Sequence, residues 1–447
     1  MVIKNKRELS TSRLRKQVLN IIEAGIKKVL PPEIMEATIG YASAGKVLTL
    51  NKVSLSLDKG RLFVIGGGKA SGLMAETLEK IVPPEDITDG IVNCKSGDHK
   101  TGKIKIIVAS HPVPDKTGLD GVKQMLALKD RFSINENDLV LCLISGGGSA
   151  LMPCPVDTVS LEDKQKVTGL LLSSGADINE INSVRKHLSK TKGGRLGQYF
   201  APATVVSLIL SDVIGNSLDV IASGPTCPDS STFTDAYGVL EKYKLITKVP
   251  ESVSGYLMKG CRGEVSETPK TLDNCHNFII GDNRLALEAM AEEAAGLGFT
   301  PKIVTAEQKG ETSTAAGLRA GEMIQGKYSG YDLILIGGET TPKLPDTPGK
   351  GGRNQHYAAV SMLEMRDYPG EWVVASVGTD GSDFLPDVAG AIVDDGTLAV
   401  AETKGIDVKS YLEKYDSNTL LKEIGGSLII TGDTGTNVGD VIVYALK

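Results

Sequence analysis

The sequence is poor in several features that mark particular classes of protein. It contains one tryptophan, and aromatic residues make up only 4% of its 447 residues, so we expect a core built mainly from aliphatic side chains. The longest apolar runs, such as residues 205–210, have the length of a strand and fall far short of a membrane span. The N-terminal residues lack the apolar segment and cleavage site of a secretory signal. We therefore predict a cytoplasmic protein with no membrane partner.

Charge and metal-ligand patterns exclude two further classes. The formal net charge of −6 argues against a nucleic-acid partner, and we interpret the basic run at residues 4–16 as a solvated helix face. The six cysteines show no C-x-x-C spacing, and the five histidines show no H-x-x-x-H pair. We therefore expect reduced thiols and no structural zinc site, whereas Mg²⁺ held by carboxylates would leave no such pattern.

Runs of valine, isoleucine and leucine alternate with helical patterns along the whole chain. Continuous apolar runs at residues 139–144, 205–210 and 333–336 are typical of strands covered on both faces. The alternation predicts an α/β protein with a mostly parallel sheet, and the length predicts at least two domains. Hydrophobic strand patterns vanish between residues 249 and 276, which we interpret as a polar connection between an N-terminal domain, 10–248, and a C-terminal domain, 277–447.

Several strand-like runs end in a polar, glycine-rich loop. Six such loops are residues 66–69, 145–149, 211–216, 337–340, 378–383 and 431–437. Because ligands bind beyond the carboxyl ends of strands in open parallel sheets, we expect these loops to share one crevice. Any one of them is as readily a simple turn, but their recurrence favours a binding site.

The first loop, Gly66-Gly67-Gly68-Lys69, ends an apolar run with three glycines and a lysine. Bare backbone lets N–H groups approach a ligand closely, and the ammonium group adds positive charge. The glycine spacing differs by one residue from the dinucleotide fingerprint and does not fit a Walker A loop. We therefore predict an anion site without a standard motif, and the similar loop at residues 145–149 is expected to contribute to it.

Two cationic residues lie in such glycine-rich settings, Lys69 and Arg353. A compact ammonium group suits a transferred phosphoryl group or a carboxylate, and a planar guanidinium can bind either one through two hydrogen bonds. Phosphoryl transfer depends mainly on charge neutralisation and positioning, which these residues could supply. The alternatives are a surface lysine after a turn and a flexible basic loop.

Carboxylates also follow the strand-like runs. Asp212, Glu339, Asp380 and Asp383 could hold Mg²⁺ or accept a hydroxyl proton, although aspartate is also common at N-caps and in turns. Spacing alone does not decide which does which. We select Asp212 as a candidate catalytic carboxylate, and Asp212 with Asp380 as candidate magnesium ligands. His111, followed by a proline, fits a rigid turn better than a general base.

Residues 182–196 carry five cationic side chains and a histidine. A solvated helix that ends at Gly193 and Gly194 explains the pattern as well as an anion pocket formed by Arg185, Lys192 and Arg195 does. Both interpretations stay open at this point.

Several longer strings together resemble one known family. They are Ile-Ser-Gly-Gly-Gly-Ser-Ala-Leu, Asn-Ser-Val-Arg-Lys-His-Leu-Ser-Lys-Thr-Lys-Gly-Gly-Arg-Leu, Leu-Ser-Asp-Val-Ile-Gly-Asn, Ala-Ser-Gly-Pro-Thr, Gly-Gly-Arg-Asn-Gln and Thr-Gly-Thr-Asn-Val. From about Arg13 to the C-terminus, the chain closely resembles the glycerate 2-kinase family, whose C-terminal part is called the MOFRL domain.

This resemblance implies a cytosolic, Mg²⁺-dependent transfer of the ATP γ-phosphoryl group to D-glycerate, giving 2-phosphoglycerate and ADP. It implies a Rossmann-like N-terminal domain, a smaller mixed α/β C-terminal domain and an active site in the cleft between them. The proposed catalytic lysine and arginine of the family fall on Lys69 and Arg353. A homodimer is a further expectation. The residues predicted to bind substrate or nucleotide are Gly66, Gly67, Gly68, Ser145, Gly146, Gly147, Gly148, Ser149, Arg195, Asn216, Glu339 and Asn354.

The sequence departs from the family pattern at two positions. His356 stands where the family commonly has an acid, and Asp433 replaces a more usual proline. Some members of the family carry the label hydroxypyruvate reductase, so an NAD(P)H-dependent reductase is the competing hypothesis. A protein that senses nucleotides without turnover is a third, although the density of cations and carboxylates exceeds what binding alone requires.

Overall fold

The computed structural model describes residues 1–51 and 53–447, which form two compact units. Residues 34–280 form the central unit, whereas residues 1–33 and 281–447 together form the terminal unit. Each unit is built around a six-stranded sheet, and the central unit also has a small three-stranded one. The predicted α/β class is confirmed.

The central unit follows the predicted alternation of strands and helices. Its strands are β1 (Ile39–Ala42), β2 (Val47–Leu50), β3 (Val53–Ser56), β4 (Leu62–Gly67), β5 (Ile87–Cys94), β6 (Ile104–Val108), β7 (Leu139–Ser145), β8 (Thr204–Leu210) and β9 (Cys275–Gly281). Its helices are α3 (Pro31–Thr38, which begins in the terminal unit), α4 (Ser71–Ile81), α5 (Lys116–Phe132), α6 (Gly148–Leu151), α7 (Leu161–Ser173), α8 (Ile178–His187), α9 (Arg195–Phe200), α10 (Phe233–Lys242) and α11 (Glu251–Cys261).

The main sheet of the central unit has the strand order β6-β5-β4-β7-β8-β9. Every residue of β4 and β7 is buried, which explains their unbroken apolar sequence. These strands pair in parallel with Gly67 opposite Ile144, and β8 continues the ladder with Leu210 opposite Ser145. The loops after β4, β7 and β8 therefore leave the sheet at one edge, so three of the six predicted loops lie together.

The terminal unit contains the remaining elements. Its helices are α1 (Lys6–Leu9), α2 (Arg13–Lys28), α12 (Asn283–Gly296), α13 (Thr312–Ile324), α14 (Arg353–Glu364), α15 (Asp395–Thr403), α16 (Val408–Glu413) and α17 (Ser417–Ile424). Its strands are β10 (Pro301–Gln308), β11 (Leu333–Gly338), β12 (Trp372–Gly378), β13 (Gly390–Asp394), β14 (Leu428–Ile429) and β15 (Asp440–Leu446).

The sheet of the terminal unit is mixed, with the strand order β10-β11-β15-β12-β13-β14. Strand β15 runs antiparallel to both of its neighbours, so that Asp440 lies opposite Gly338 on one side and Gly378 on the other. The loops after β11 and β12 and the loop before β15 therefore meet at one edge. These are the other three predicted loops.

The observed units differ from the predicted domain boundaries, 10–248 and 277–447, at two places. Helix α2 belongs to the terminal unit because its buried face packs on α12, where Gly25 lies so close to Met290 that a Cβ would overlap that side chain. Arg15 holds the same helix to the sheet through Asp394 (2.5 Å) and the Gly426 carbonyl (2.7 Å). The predicted polar connection, 249–276, contains α11, a helix that buries Val253 and Leu257 in the central unit.

Among the helices of the described residues, none is long and apolar enough to span a bilayer.

Candidate active-site loops and cationic pocket

Backbone hydrogen bonds join the two glycine loops of the central unit. The Lys69 N–H donates to the Gly146 carbonyl (2.8 Å), and the Ala70 N–H donates to Ser145 Oγ (2.9 Å). Gly68 (φ 159°) passes so close to Ser145 that a Cβ would overlap its hydroxyl. The predicted residues Gly66, Gly67, Gly68 and Lys69 therefore lie beside Ser145 and Gly146 as one structure.

Gly147 lies where the second loop approaches Lys69. Its φ of 80° is in the left-handed region that favours glycine. A Cβ at this position would lie 3.0 Å from the His111 ring and 3.2 Å from Lys69 Cγ. The absent side chain thus allows Lys69 and His111 to pack against the same stretch of backbone.

Residues 222 and 223 have a strained backbone conformation and contact the second glycine loop. Ser149 Oγ lies 2.7 Å from Ser223 Oγ, which donates to Asn182 Oδ1 at 3.1 Å. Ala222 and Ser223 have φ values of 51° and 61°, a left-handed conformation that costs a residue with a side chain about 1–2 kcal/mol. Their cost is offset by this packing and hydrogen bonding, since strain of this kind persists only where surrounding contacts over-determine it.

A cavity of about 410 Å³ opens beside the second loop, and we call it the cationic pocket. The loop side is formed by His111, Gly147 and Ser149, and three cationic side chains line the rest. These are Lys164 from α7, Arg185 from α8 and Lys192 from the turn before α9. The cavity wall also includes apolar residues, and no aspartate or glutamate is found among the described residues that line it.

The described residues that line the cavity include no carboxylate to balance the three cations, two of which are buried. Lys164 is 5% exposed and Lys192 is 2% exposed, and within the described structure the Lys164 ammonium has no hydrogen-bond partner. Burial lowers the pKa of Lys164 to about 8. Burial, with the repulsion of Lys164 and Arg185, also holds the pKa of Lys192 well below its ordinary value. An entering anion would relieve both effects.

The solvated-helix interpretation of residues 182–196 is wrong, because helix α8 ends at His187 and Lys186 is buried. The anion pocket stays a prediction. Lys186 is buried and paired with Asp229 (3.1 Å) and Asp219 (3.2 Å), so it is part of the fold. Arg185 and Lys192 reach the cationic pocket. The structure places Arg195 elsewhere, against the carbonyls of Ser189 (3.2 Å) and Ser266 (3.4 Å), because helix α9 turns it toward a different surface cleft.

The predicted residues Asp212 and Asn216 lie just beyond β8. Asp212 is half-buried at the sheet edge from which the two glycine loops leave. Asn216 adopts a left-handed conformation with φ 56°, and its N–H donates to the Val213 carbonyl at 3.0 Å. Both positions are consistent with contact to a ligand at this edge.

In the terminal unit, Arg353 is oriented by two carboxylates. Its Nε and Nη2 donate to the two Asp440 oxygens (2.6 and 2.9 Å), and its Nη1 lies 2.8 Å from Glu339 Oε1. Although burial alone would lower the pKa of Arg353, the charges of Asp440, Glu339 and Asp383 raise it. Three of its five N–H donors are engaged, which leaves two for a ligand.

Asn354 and Asp383 complete this cluster. Asn354 donates to Asp440 Oδ1 (2.9 Å) and accepts from Ser376 Oγ (2.6 Å). Asp383 accepts from the N–H groups of Asn354 (3.0 Å) and Gln355 (2.8 Å) at the start of α14, and burial raises its pKa. Asp440 was not among the predicted residues, because it begins strand β15 whereas the predicted carboxylates follow the ends of strands.

The candidate magnesium ligands belong to different units. Asp380 Oδ1 accepts from the Ser382 N–H (2.9 Å) and hydroxyl (3.1 Å), as a turn residue does. The described residues contain no cluster of three His, Cys, Asp or Glu side chains suited to a metal. Magnesium needs only one or two carboxylates when phosphate oxygens and water complete its shell, so single acids of this kind fit it.

The two departures from the family pattern are local. His356 lies in the core of the terminal unit, stacked on Tyr415 at 3.7 Å, with Ser417 and Ser313 hydroxyls each 2.9 Å from its ring nitrogens. Burial lowers the pKa of His356 to about 4. Asp433 is an exposed turn residue that accepts from the Gly435 N–H (2.9 Å).

The chain matches two protein families along most of its length. Residues 17–258 match the domain of unknown function DUF4147, and residues 332–440 match the MOFRL family. A glycerate 2-kinase of Pyrococcus horikoshii is 44% identical, with 95% of this chain and 97% of the relative covered. A protein of Agrobacterium vitis named putative hydroxypyruvate reductase is 38% identical, with 86% and 98% covered.

A solved structure agrees with these relationships. The crystal structure of glycerate kinase from Thermotoga maritima matches with a TM-score of 0.82 at 37% identity, covering 97% of this chain and 99% of that one. The chain shares this sequence identity with its relatives over nearly their full length, and its motifs at Lys69 and Arg353 have the geometry described above. The chain therefore belongs to the glycerate 2-kinase family.

Proposed function

We propose that this protein transfers the γ-phosphoryl group of ATP to the 2-hydroxyl of D-glycerate, giving 2-phosphoglycerate and ADP. The observation that carries the proposal is the loop pair at Lys69 and Gly147 beside a cationic pocket with no carboxylate among its described lining residues, in a chain that is 44% identical to a glycerate 2-kinase. Phosphoryl transfer needs this concentration of positive charge and little covalent chemistry. We place the reaction in the cytoplasm.

In this reaction the glycerate 2-hydroxyl oxygen attacks the γ-phosphorus as the bond to the β,γ-bridging oxygen breaks. Lys69 stabilises the charge on the transferred group, for which a fixed cation in a site shielded from water is well suited. Arg353, oriented by Asp440 and Glu339, offers its two remaining N–H groups to an oxyanion. We assign Asp212 to accept the hydroxyl proton.

The half-buried carboxylates Asp212 and Asp380 are the proposed Mg²⁺ ligands. Bound Mg²⁺ would neutralise part of the charge on the nucleotide phosphates. The residues proposed to bind substrate or nucleotide include Gly66, Gly67 and Gly68 in the central unit, and Glu339 and Asn354 in the terminal unit.

An NAD(P)H-dependent reduction of hydroxypyruvate is the second candidate, because two relatives are named putative hydroxypyruvate reductase. The first loop lacks the complete dinucleotide fingerprint, which counts against it. Parallel assays separate the two candidates. The kinase predicts ADP formation that requires D-glycerate and Mg²⁺, with no consumption of NADH or NADPH when hydroxypyruvate is supplied. Oxidation of either cofactor without ADP formation would reverse the assignment.

A further inference from the structure

The cationic pocket contains more positive charge than the fold requires. Buried lysines are ordinarily paired, because an unpaired buried charge is costly. Lys186, in the last turn of helix α8, follows this rule by pairing with Asp219 and Asp229. Lys164 does not, since its ammonium is buried without a hydrogen-bond partner among the described residues. A cost of this kind is explained if a ligand supplies the missing negative charge.

We propose that Lys164, Arg185 and Lys192 bind the polyphosphate chain of the nucleotide, with its nucleoside lying against the apolar wall of the same cavity. This inference rests on the proposed kinase function and names the residues that would hold one of its substrates. Three cations match the several charges of a polyphosphate better than the single carboxylate of glycerate. Arg can hold phosphate oxygens through two parallel bonds, and lysine binds them as a point charge.

The size and lining of the pocket agree with this assignment. A cavity of about 410 Å³ lies in the range of about 300–1,000 Å³ typical of sites for ligands larger than a three-carbon acid. Pro112, Val113, Pro153 and Leu172 supply an apolar surface, and Val113 and Leu172 are each 60% exposed. Such a surface suits the flat face of a base.

The position of the pocket also agrees. Gly147 and Ser149 line it, and Gly147 packs against Lys69. A phosphate chain held by the three cations would thus lie beside the lysine assigned to the transferred phosphoryl group. We therefore assign these three residues, and not Arg195, to phosphate binding, because Arg195 lines another cleft.

Isothermal titration calorimetry with inorganic tripolyphosphate, ATP and D-glycerate tests the proposal on the full chain. We expect Lys164→Met and Lys192→Met to weaken ATP and tripolyphosphate binding by about 10- to 100-fold, as expected for loss of a hydrogen bond to a charged group, and to leave D-glycerate binding within twofold. Lys166→Met is the matched control, because Lys166 is an exposed residue of the same helix, and it should bind all three ligands as wild type does.

Unmodified protein gives a second test that does not depend on the folding of a variant. Tripolyphosphate should displace ATP and leave D-glycerate binding unchanged. Displacement of D-glycerate alone, or loss of D-glycerate binding in the two variants with ATP binding intact, would overturn the assignment and make the pocket an acceptor site. Unchanged binding of all ligands in both variants would also overturn it.

The outcomes separate this inference from the proposed reaction. If wild-type protein makes 2-phosphoglycerate while both variants bind ATP normally, the reaction stands and the phosphate site is wrong. If wild-type protein makes no phosphoglycerate but ATP and tripolyphosphate compete for the three cations, the phosphate site stands and the reaction is wrong.

Discussion

Two clusters of cations, one in each unit, lie in opposite electrostatic settings. In the terminal unit, Arg353 is held by Asp440 and Glu339, so its charge is balanced and its guanidinium is fixed in direction. In the central unit, Lys164, Arg185 and Lys192 line a cavity with no carboxylate among its described lining residues. The carboxylates of the first cluster fix the direction of a cation, whereas the positive charges of the second are available to a negatively charged ligand. Removing a charge should therefore have opposite consequences for stability at the two clusters.

The largest effect is expected at Lys69, which packs beside the cationic pocket. Lys69→Met should lower kcat by about 10²–10³-fold, the loss seen when one preorganised donor to a developing charge is removed. Circular dichroism and thermal unfolding should match wild type, because the loop is held by backbone hydrogen bonds that the change leaves in place. The control is Lys59→Met, an exposed lysine of the same unit. A kcat within twofold of wild type would remove Lys69 from the mechanism.

Neutralising the partner of Arg353 should destabilise the protein. Asp440→Asn removes the charge that accepts two hydrogen bonds from the guanidinium, and we expect the free energy of unfolding to fall by about 2 kcal/mol. Urea denaturation measures this change, and kcat should fall with it because Arg353 loses its fixed direction. Asp433→Asn, at an exposed turn of the same unit, should change neither quantity. Unaltered stability of the Asp440 variant would contradict the described pairing.

The pocket lysine Lys164 predicts a pH dependence of stability at alkaline pH. Its pKa is about 8 in the folded protein, below the ordinary 10.5, owing to burial and then to the charge of Arg185, with Cys154 acting in the opposite direction. Between pH 8 and 10.5 the unfolded chain binds more protons, so the free energy of unfolding should rise with pH, by an amount on the order of 2 kcal/mol. Denaturation across this range should show a smaller rise in Lys164→Met. Parallel curves for the two proteins would argue that Lys164 is solvated.

Neutralising Lys192 should produce the reverse of the Asp440 result. Lys192→Met removes an almost fully buried cation that is repelled by Lys164 and Arg185, so we expect the ligand-free protein to gain about 1 kcal/mol of stability while nucleotide affinity falls. Lys192→Arg keeps the charge and should show no gain. A marked loss of stability in the methionine variant would mean that Lys192 is a structural group.

The smallest effect is expected at Arg195. Because its guanidinium contacts the carbonyls of Ser189 and Ser266 away from the cationic pocket, Arg195→Gln should change KM for ATP and for D-glycerate by less than about twofold. Steady-state kinetics measures both constants. A tenfold increase in either one would restore Arg195 as a binding residue.

The sequence predicted the fold well where local patterns are decisive. The apolar runs at residues 139–144, 205–210 and 333–336 became β7, β8 and β11. It did not predict that α2 joins the terminal unit, because an amphipathic helix does not specify which partner covers its apolar face. That choice depends on the close approach of Gly25 to α12, more than 250 residues later in the chain.

The same limit applies to the site. Glycine loops carry a strong local signal, and the structure brings the two predicted loops at residues 66–69 and 145–149 together. Lys164 was not among the predicted residues, because in sequence it is one of two lysines on an ordinary helix, and only the fold reveals that it faces inward while Lys166 faces solvent. Arg185 and Arg195 were indistinguishable for the same reason, since helix orientation alone sends one to the cationic pocket and the other away.

The most direct test of the proposed reaction is phosphorus NMR of the product formed from D-glycerate, ATP and Mg²⁺. Phosphate on the 2-oxygen is coupled to a single proton, so the proposed reaction should give a phosphomonoester doublet together with the resonances of ADP. A triplet, from phosphate on the 3-oxygen, or the absence of any new phosphomonoester would contradict it.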